Sequence, residues 1–212
     1  DIVGKLENHD PDYVRLNPKG VVPTLDHDGK IIIESNIIIE YLDDTFPGVS
    51  LSPADTYQRA VMRLWLDMAE LQVHKNINVV SYNKRHVPRT DKLFSKQEQR
   101  DLIVNFPDAD KRATMLQRLE NGVSADEETF AEQRLAEAMD KMEETLSNSA
   151  WLAGDDFTLA DIALAPFIER FEANDMEALL DFSKRPSVGG WWERVQARPS
   201  YQTAYAFENP NA

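Results

Sequence analysis

The chain has 212 residues, of which 42% are hydrophobic and 28% are charged, so it is long enough to bury a core in one or two domains. Its 37 acidic and 23 basic residues give a net charge of −14, which argues against non-specific binding to nucleic acid or to an anionic membrane. Cysteine is absent, which excludes disulfides, thiolate metal sites and cysteine nucleophiles within the sequence and fits a reducing, cytoplasmic setting. We find no apolar run in the sequence long enough to span a bilayer.

The first 50 residues predict a helix, a β-hairpin and a second helix. Residues 11–18 have the pattern of a short helix that an Asn-Pro pair stops. The β-rich runs at 21–25 and 31–33 flank an Asp-His-Asp-Gly sequence that is typical of a hairpin turn, with Gly29 supplying the positive φ. A helix then begins at Ser35. Two strands and a helix do not form a stable sheet by themselves, so this region predicts only part of a domain.

From residue 51 onward the sequence predicts only helices. A long helix is predicted over 55–83 and another over 126–147. Four apolar residues at helical spacing form the predicted buried stripe of the long helix: Val61, Leu64, Trp65 and Met68. Further along, Thr158 is placed to cap a helix, and Asp161 is placed to reach back to it in a capping box. The helix that begins there is apolar nearly all round, which predicts a buried central position.

Three segments carry a resemblance to a known family. Residues 17–25 (NPKGVVPTL), 28–42 (DGKIIIESNIIIEYL) and 157–162 (FTLADI) occur in the order and at the spacing found in cytosolic glutathione transferases. The resemblance extends over essentially the whole chain. Residues 6–17 and 81–89 are more narrowly similar to bacterial members, which include reductive dehalogenases of chlorinated hydroquinones and β-aryl etherases. We therefore expect the fold of that family and its co-substrate, glutathione.

The resemblance implies an α+β fold in two domains. Residues 1–50 correspond to the second part of a thioredoxin-like, glutathione-binding domain, and residues 51–212 to an all-helical domain. A βαβ unit of about 30 residues would complete the first domain. Because the chain begins at Asp1 rather than Met, we expect it to be a piece of a longer protein. The serine, cysteine or tyrosine that activates the glutathione thiol is expected in that upstream unit, and no catalytic residue is predicted within the chain.

The resemblance also assigns four residues to glutathione binding, Lys19, Val22, Glu34 and Ser35, and a structural cis-proline to position 23. A cis bond before Pro23 would aim the N–H and C=O of Val22 at the cysteine of glutathione, whereas an ordinary tight X-Pro turn is the alternative. Ser35 and the helix start would receive the γ-glutamyl carboxylate, and Glu34 its ammonium, although Ser35 also fits a plain helix N-cap. Lys19 is a candidate for the glycine carboxylate or is simply a solvated lysine. Val21, the residue before the Val-Pro pair, departs from the amide that is common at this position in the family.

The second substrate is expected beside the long helix. Four residues near its end are the candidates to contact that substrate: Tyr82, Asn83, His86 and Arg89. Their alternative role is to cap or pack the helix end. The four histidines of the chain lack the spacing of metal ligands, so no metal is predicted.

The predicted function is enzymatic. The resemblance implies activation of the glutathione thiol for attack on a small, aromatic electrophile, with conjugation, reductive dehalogenation, ether cleavage or isomerisation as the result. A non-catalytic binding or scaffolding module with the same fold is the alternative, but such a module has no need of the head-group residues Glu34 and Ser35. A cytoplasmic homodimer with a role in detoxification is expected by resemblance alone.

Overall fold

The structure is a computed structural model that describes residues 7–104, 106, 108–173 and 176–206. The described residues form these strands and α-helices in chain order: α1 (Pro11–Leu16), β1 (Thr24–His27), β2 (Lys30–Ile33), α2 (Ser35–Thr45), α3 (Thr56–Met68), α4 (Lys75–Ser81), α5 (Val87–Leu93), α6 (Lys96–Val104), α7 (Ala109–Asn121), α8 (Ala125–Leu146), α9 (Leu159–Ala173), α10 (Pro186–Gln196) and α11 (Pro199–Tyr205). Glu7–His9 and Glu177–Leu180 form 3₁₀ turns, and Ala69–His74 and Tyr82–His86 form π-helical turns. None of the helices in the described ranges combines the length and the apolar character that a membrane crossing requires.

The chain divides into two compact units. Residues 1–48 and 78–130 form the first, and residues 49–77 and 131–212 form the second. These units are groups of contacting residues, whereas a domain is defined by its ability to fold independently. The domain limits expected from the sequence, 1–50 and 51–212, therefore stay a prediction.

The hairpin turn of the first unit is shorter than the predicted turn at 26–29, because Asp26 and His27 belong to β1 and only Asp28 and Gly29 form the turn. Strands β1 and β2 are antiparallel, with Thr24 opposite Ile33 at the open end. Asp28 and Gly29 in the turn both have positive φ, 54° and 79°. Both central residues of a type I′ hairpin turn need that region, which is why an Asp-Gly pair is favoured there. The carboxylate of Asp26 also accepts a hydrogen bond from the Gly29 N–H at 2.8 Å.

The long helix continues beyond its predicted end. Helical turns follow one another from α3 to α5, whereas the sequence predicted a break after residue 83. The proline at position 88 lies in the first turn of α5, directly after the π-helical turn Tyr82–His86. A proline is tolerated at such a position because its missing N–H would have had no regular i−4 partner there.

The apolar stripe of α3 was predicted correctly at two positions and wrongly at one. Trp65 and Met68 are buried in the core of the second unit, whereas Leu64 is 64% exposed. The buried face of α3 is completed by Met62 and Leu66, which were not in the predicted stripe. The core face of the helix is therefore rotated relative to the predicted one, and Leu64 lies on its outer side.

The predicted capping box is confirmed and is part of a larger buried network. The Asp161 carboxylate accepts hydrogen bonds from the Thr158 N–H at 2.9 Å and from the Thr158 hydroxyl at 3.2 Å. It also accepts from the Leu152 N–H at 3.1 Å and from the Trp191 indole N–H at 2.8 Å. The Thr158 hydroxyl in turn accepts from the Ala160 N–H at 3.3 Å. This network ties α9 and α10 to the loop before α9 within the second unit.

Candidate functional site

The segment before the hairpin is held by side chains that sequence analysis did not identify. The Val21 carbonyl accepts hydrogen bonds from the Tyr13 hydroxyl at 2.7 Å and from the Asn17 amide at 2.8 Å. Tyr13 also bonds the hydroxyl of Thr24, the first residue of β1, at 2.9 Å. Asn17 is buried although it is polar, and such a residue is retained where its hydrogen bonds are satisfied. The Asn-Pro pair had indicated a helix stop but not this bracing role.

The next residue in the chain is not braced. The Val22–Pro23 peptide bond is cis, and Val22 is 46% exposed. Within the part of the chain that the structure describes, no residue pairs with the N–H or the C=O of Val22. Both groups are therefore available to an extended peptide, which can pair with them as a neighbouring strand would.

The start of α2 lacks a side-chain cap. Glu34 is the residue before the helix, and its side chain makes no capping hydrogen bond to the first turn. Its backbone has φ 72° and ψ 117°, a region that costs a residue with a side chain on the order of 1–3 kcal/mol. Ser35 is the first helical residue and its side chain is exposed. The positive end of the helix dipole is thus open to an anion.

Two of the predicted glutathione-binding residues contact each other. The Lys19 ammonium donates to the Glu34 carboxylate at 2.6 Å. Both side chains are substantially exposed, and such surface pairs contribute little to stability. The pair nevertheless places one cation and one anion side by side at the uncapped start of α2.

A second lysine lies behind the loop that carries Lys19. The Lys111 ammonium donates to the Lys19 carbonyl at 2.9 Å and lies 4.8 Å from the centroid of the Phe106 ring. Burial lowers the pKa of Lys111, the positive charge of Lys19 lowers it further, and the negative charges of Asp108 and Glu34 act in the opposite direction. No sequence pattern pointed to Lys111, because it is 92 residues away from Lys19 along the chain.

Two of the residues predicted for the second substrate form an aromatic surface. The rings of Tyr82 and His86 stack with centroids 5.1 Å apart and an interplanar angle of 24°. The Arg118 guanidinium lies 5.5 Å from the Tyr82 centroid. Desolvation lowers the pKa of His86 because it disfavours the charged ring, and the positive charges of Arg89 and Arg118 lower this pKa further. Burial raises the pKa of Tyr82. His86 is therefore biased towards its neutral form and Tyr82 towards its protonated form.

The other two predicted residues have different surroundings. The Asn83 amide donates to the Val123 carbonyl at 2.7 Å and accepts from the Val123 N–H at 3.1 Å. These bonds fix the loop between α7 and α8, so the Asn83 side chain has a structural role. Arg89 lies on the exposed side of α5.

The second unit contains a separate apolar cavity of about 820 Å³. Its lining residues come from α9, α10, α11 and the neighbouring loops: Leu51, Phe157, Ile162, Ala165, Pro166, Glu169, Arg170, Val195, Arg198, Ser200, Tyr201, Ala204 and Tyr205. None of the residues predicted to bind a substrate is in this lining, so the cavity does not test those predictions. No group of three acidic or histidine residues in the described ranges is arranged to hold a metal ion.

Comparison with known proteins defines the family. Residues 3–50 match the N-terminal domain of glutathione S-transferases, and residues 108–199 match the C-terminal domain. The chain belongs to the glutathione S-transferase family. The resemblance and the fold class expected from the sequence, a partial thioredoxin-like domain followed by a helical one, are therefore confirmed.

Individual relatives agree with this assignment. The chain is 31% identical to tetrachloro-p-hydroquinone reductive dehalogenase of Sphingobium chlorophenolicum, over 99% of this chain and 84% of that protein. It is 30% identical to glutathione S-transferase 3 of Zea mays, over 92% of this chain and 75% of the relative. The crystal structure of the β-etherase LigF from Sphingobium sp. strain SYK-6 superposes with a TM-score of 0.87 at 28% identity, over 96% of this chain and 85% of LigF. The narrower likeness to bacterial dehalogenases and etherases is thus confirmed as well.

Proposed function

We propose that the protein binds glutathione at Val22 and the start of α2 and directs its thiol at a small aromatic electrophile. As a glutathione S-transferase, the protein is a glutathione-dependent enzyme. The observation that supports this site is that the Val22 backbone pairs with no described residue, together with the absence of a Glu34 side-chain cap at the start of α2. In the reaction, a thiolate would form a carbon–sulfur bond with the electrophile while the leaving group departs with the electron pair of the broken bond. An attacking thiol must first lose its proton.

The γ-glutamyl head of glutathione is a zwitterion that fits the charges at α2. On binding, the ion pair between Lys19 and Glu34 would be replaced by two ion pairs with glutathione. Glu34 would accept from the γ-glutamyl ammonium, and Lys19 would face the glycine carboxylate. The Ser35 hydroxyl and the N-terminal N–H groups of α2 would receive the α-carboxylate. Because the Lys19–Glu34 ion pair is exposed and contributes little to stability, breaking it on binding costs little free energy.

The stacked rings of Tyr82 and His86 are the proposed contact for the second substrate, with Arg89 and Arg118 beside them. A planar aromatic ring packs well against such a surface. One relative is named tetrachloro-p-hydroquinone reductive dehalogenase, a name that describes an aromatic substrate, and another is named a β-etherase. A panel of a chlorinated hydroquinone, a β-aryl ether and a nitroaryl chloride, assayed with glutathione, would identify the electrophile. Turnover of none of the three would contradict an aromatic substrate.

The site is tested by a double substitution, Glu34→Ala with Ser35→Ala, in the full-length protein. We expect wild-type protein to be retained on glutathione resin, and the variant to have a dissociation constant for glutathione at least about tenfold higher, because it loses hydrogen bonds to charged groups. The matched control is Asp44→Ala with Thr45→Ala, which removes the same chemical groups from the opposite end of α2. Unchanged retention of the first variant would contradict the site.

We infer a cytoplasmic homodimer with a role in detoxification by family likeness. Three apolar residues recur every seven positions and are exposed along α3 and the π-helical turn that follows: Tyr57, Leu64 and Leu71. An exposed apolar stripe of this kind is a candidate surface for a second copy of the chain.

A further inference from the structure

We propose that Lys111 and Phe106, which lie outside the predicted glutathione-binding segment, position the loop at residues 19–22 so that Val22 is presented to glutathione. The inference rests on the proposed function, because it concerns how the glutathione site is held in its binding geometry. Lys111 and Phe106 are positioning residues here: both contact the loop, and neither is assigned a contact with the peptide.

Three successive carbonyl groups of the loop are each tied to a side chain. The Lys19 carbonyl accepts from Lys111 at 2.9 Å, and the Gly20 carbonyl accepts from the Asn8 amide at 2.8 Å. The Val21 carbonyl is held by the two donors in and after α1 described above. The ties end at Val22, whose N–H and C=O no described residue engages. The loop is therefore braced up to the residue that is proposed to pair with glutathione.

The ring of Phe106 packs against the same loop at Gly20. Gly20 has φ +56°, and a Cβ added to it would lie 2.7 Å from the Phe106 ring, closer than real Cβ contacts come. Phe106 is itself buried, and the edge of the His9 ring packs against it with centroids 5.4 Å apart. The loop backbone thus rests directly on the ring, which only glycine at position 20 allows.

Lys111 differs from the other braces because it is charged and comes from α7. Its ammonium lies over the Phe106 ring while donating to the loop, so one side chain links the ring, the loop and the helix. A partly desolvated ammonium donates a stronger hydrogen bond than a neutral group. Fixing a loop in its bound conformation increases affinity because less conformational freedom is lost on binding.

The first test replaces Lys111 in the full-length protein and measures glutathione binding by calorimetry at equal folded fraction. We expect Lys111→Met to raise the dissociation constant about tenfold while kcat at saturating glutathione changes less than about twofold, because only preorganisation is lost. Lys111→Arg, which keeps a charged donor, should recover most of the affinity. Lys92→Met, on an exposed face of α5 in the same unit, is the control and should bind like wild type.

The inference would be overturned if Lys111→Met bound glutathione with the wild-type dissociation constant. It would also be overturned if Lys111→Arg lost as much glutathione affinity as Lys111→Met. Failure of the wild-type protein to bind glutathione would instead refute the proposed function and the inference with it. The two failures are distinguishable, because the first requires normal wild-type binding.

A double-mutant cycle at Gly20 and Phe106 leaves Lys111 unchanged and tests whether the Phe106 ring sets the position of the loop. Gly20→Ala should raise the dissociation constant several-fold, because the new methyl group pushes the loop off the ring. In a Phe106→Ala background the added effect of Gly20→Ala should be smaller, since the clash is removed, so the two effects should not add. Additive effects would show that the ring does not set the loop position.

Discussion

Helices α2 and α9 each have an acidic and a hydroxyl side chain at the N-terminus, but the surroundings of these side chains differ. At α9, Thr158 and Asp161 are buried and bond each other and three further donors. At α2, neither Glu34 nor Ser35 caps the helix, and the Ser35 side chain is exposed.

The contrast shows that residue type does not separate structural from functional helix starts. Each helix has backbone N–H groups at its first turn that need partners. At α9 the side chains of Thr158 and Asp161 accept hydrogen bonds inside the protein, so the carboxylate of Asp161 has a structural role. At α2 the Glu34 side chain supplies no such partner, and the Glu34 backbone is held in a costly conformation. Three predictions test this difference, from the largest expected effect to the smallest.

The largest expected effect follows removal of the buried carboxylate. Asp161→Ala leaves the Leu152 N–H, the Thr158 N–H and the Trp191 indole buried without an acceptor, so we expect the free energy of unfolding to fall by about 3 kcal/mol. The matched change at the other helix, Glu34→Ala, should stay within about 0.5 kcal/mol of wild type, as expected for an exposed site. Urea denaturation measures both. Equal losses in the two variants would remove the distinction between the two helix starts.

An intermediate effect is expected at the two hydroxyls. Thr158→Ala should lower the free energy of unfolding by about 1 kcal/mol through loss of a cap and leave glutathione affinity unchanged at equal folded fraction. Ser35→Ala should do the reverse, with stability within about 0.5 kcal/mol of wild type and weaker glutathione binding. Thermal melts and calorimetry on the two single variants separate these outcomes. A destabilised Ser35→Ala protein with wild-type affinity would assign Ser35 to the fold.

The smallest expected effect is the response to acid. Burial lowers the pKa of His9 from its ordinary value of 6.5, and the charges of Lys111 and His86 lower it further. The unfolded chain therefore takes up a proton first as the pH falls below 6.5, and the contribution of His9 to stability is lost as the pH falls through its lowered pKa. Burial raises the pKa of Asp161 from 3.8, so over the window above 3.8 the folded state takes the proton first and the sign is opposite.

Urea denaturation across this pH range measures the response. His9→Gln should show a shallower loss of stability below pH 6.5 than wild type, without abolishing it, because the pKa of His86 is lowered as well. An identical pH dependence of His9→Gln and wild type would show that His9 does not contribute.

Much of the fold was predictable because its signals are local. The hairpin turn needs two positive φ values over adjacent residues, and Asp28-Gly29 supplies them. The capping box spans four residues, and both of its bonds were predicted. Errors arose where the outcome depends on distant packing. Leu64 fits the apolar spacing of α3 yet is exposed, because the core lies on a neighbouring face of the helix.

The candidate site divides in the same way. Lys19, Glu34 and Ser35 were identified from short motifs, but their pairing and the missing cap were visible only in three dimensions. Asn83 was predicted either to contact the substrate or to cap or pack the helix end, and spacing alone could not reveal its two bonds to Val123, which is 40 residues away.

The sequence by itself determined the family, the hairpin and the helix starts, and it indicated the residue types proposed to bind glutathione, because each depends on neighbouring residues within one turn or motif. Only the tertiary structure decided which helix start stays open and what braces the loop before it. Those outcomes depend on side chains such as Trp191 and Lys111, which reach their partners only when distant segments of the chain pack together. Burial and hydrogen-bond satisfaction are properties of that packing and not of any one segment.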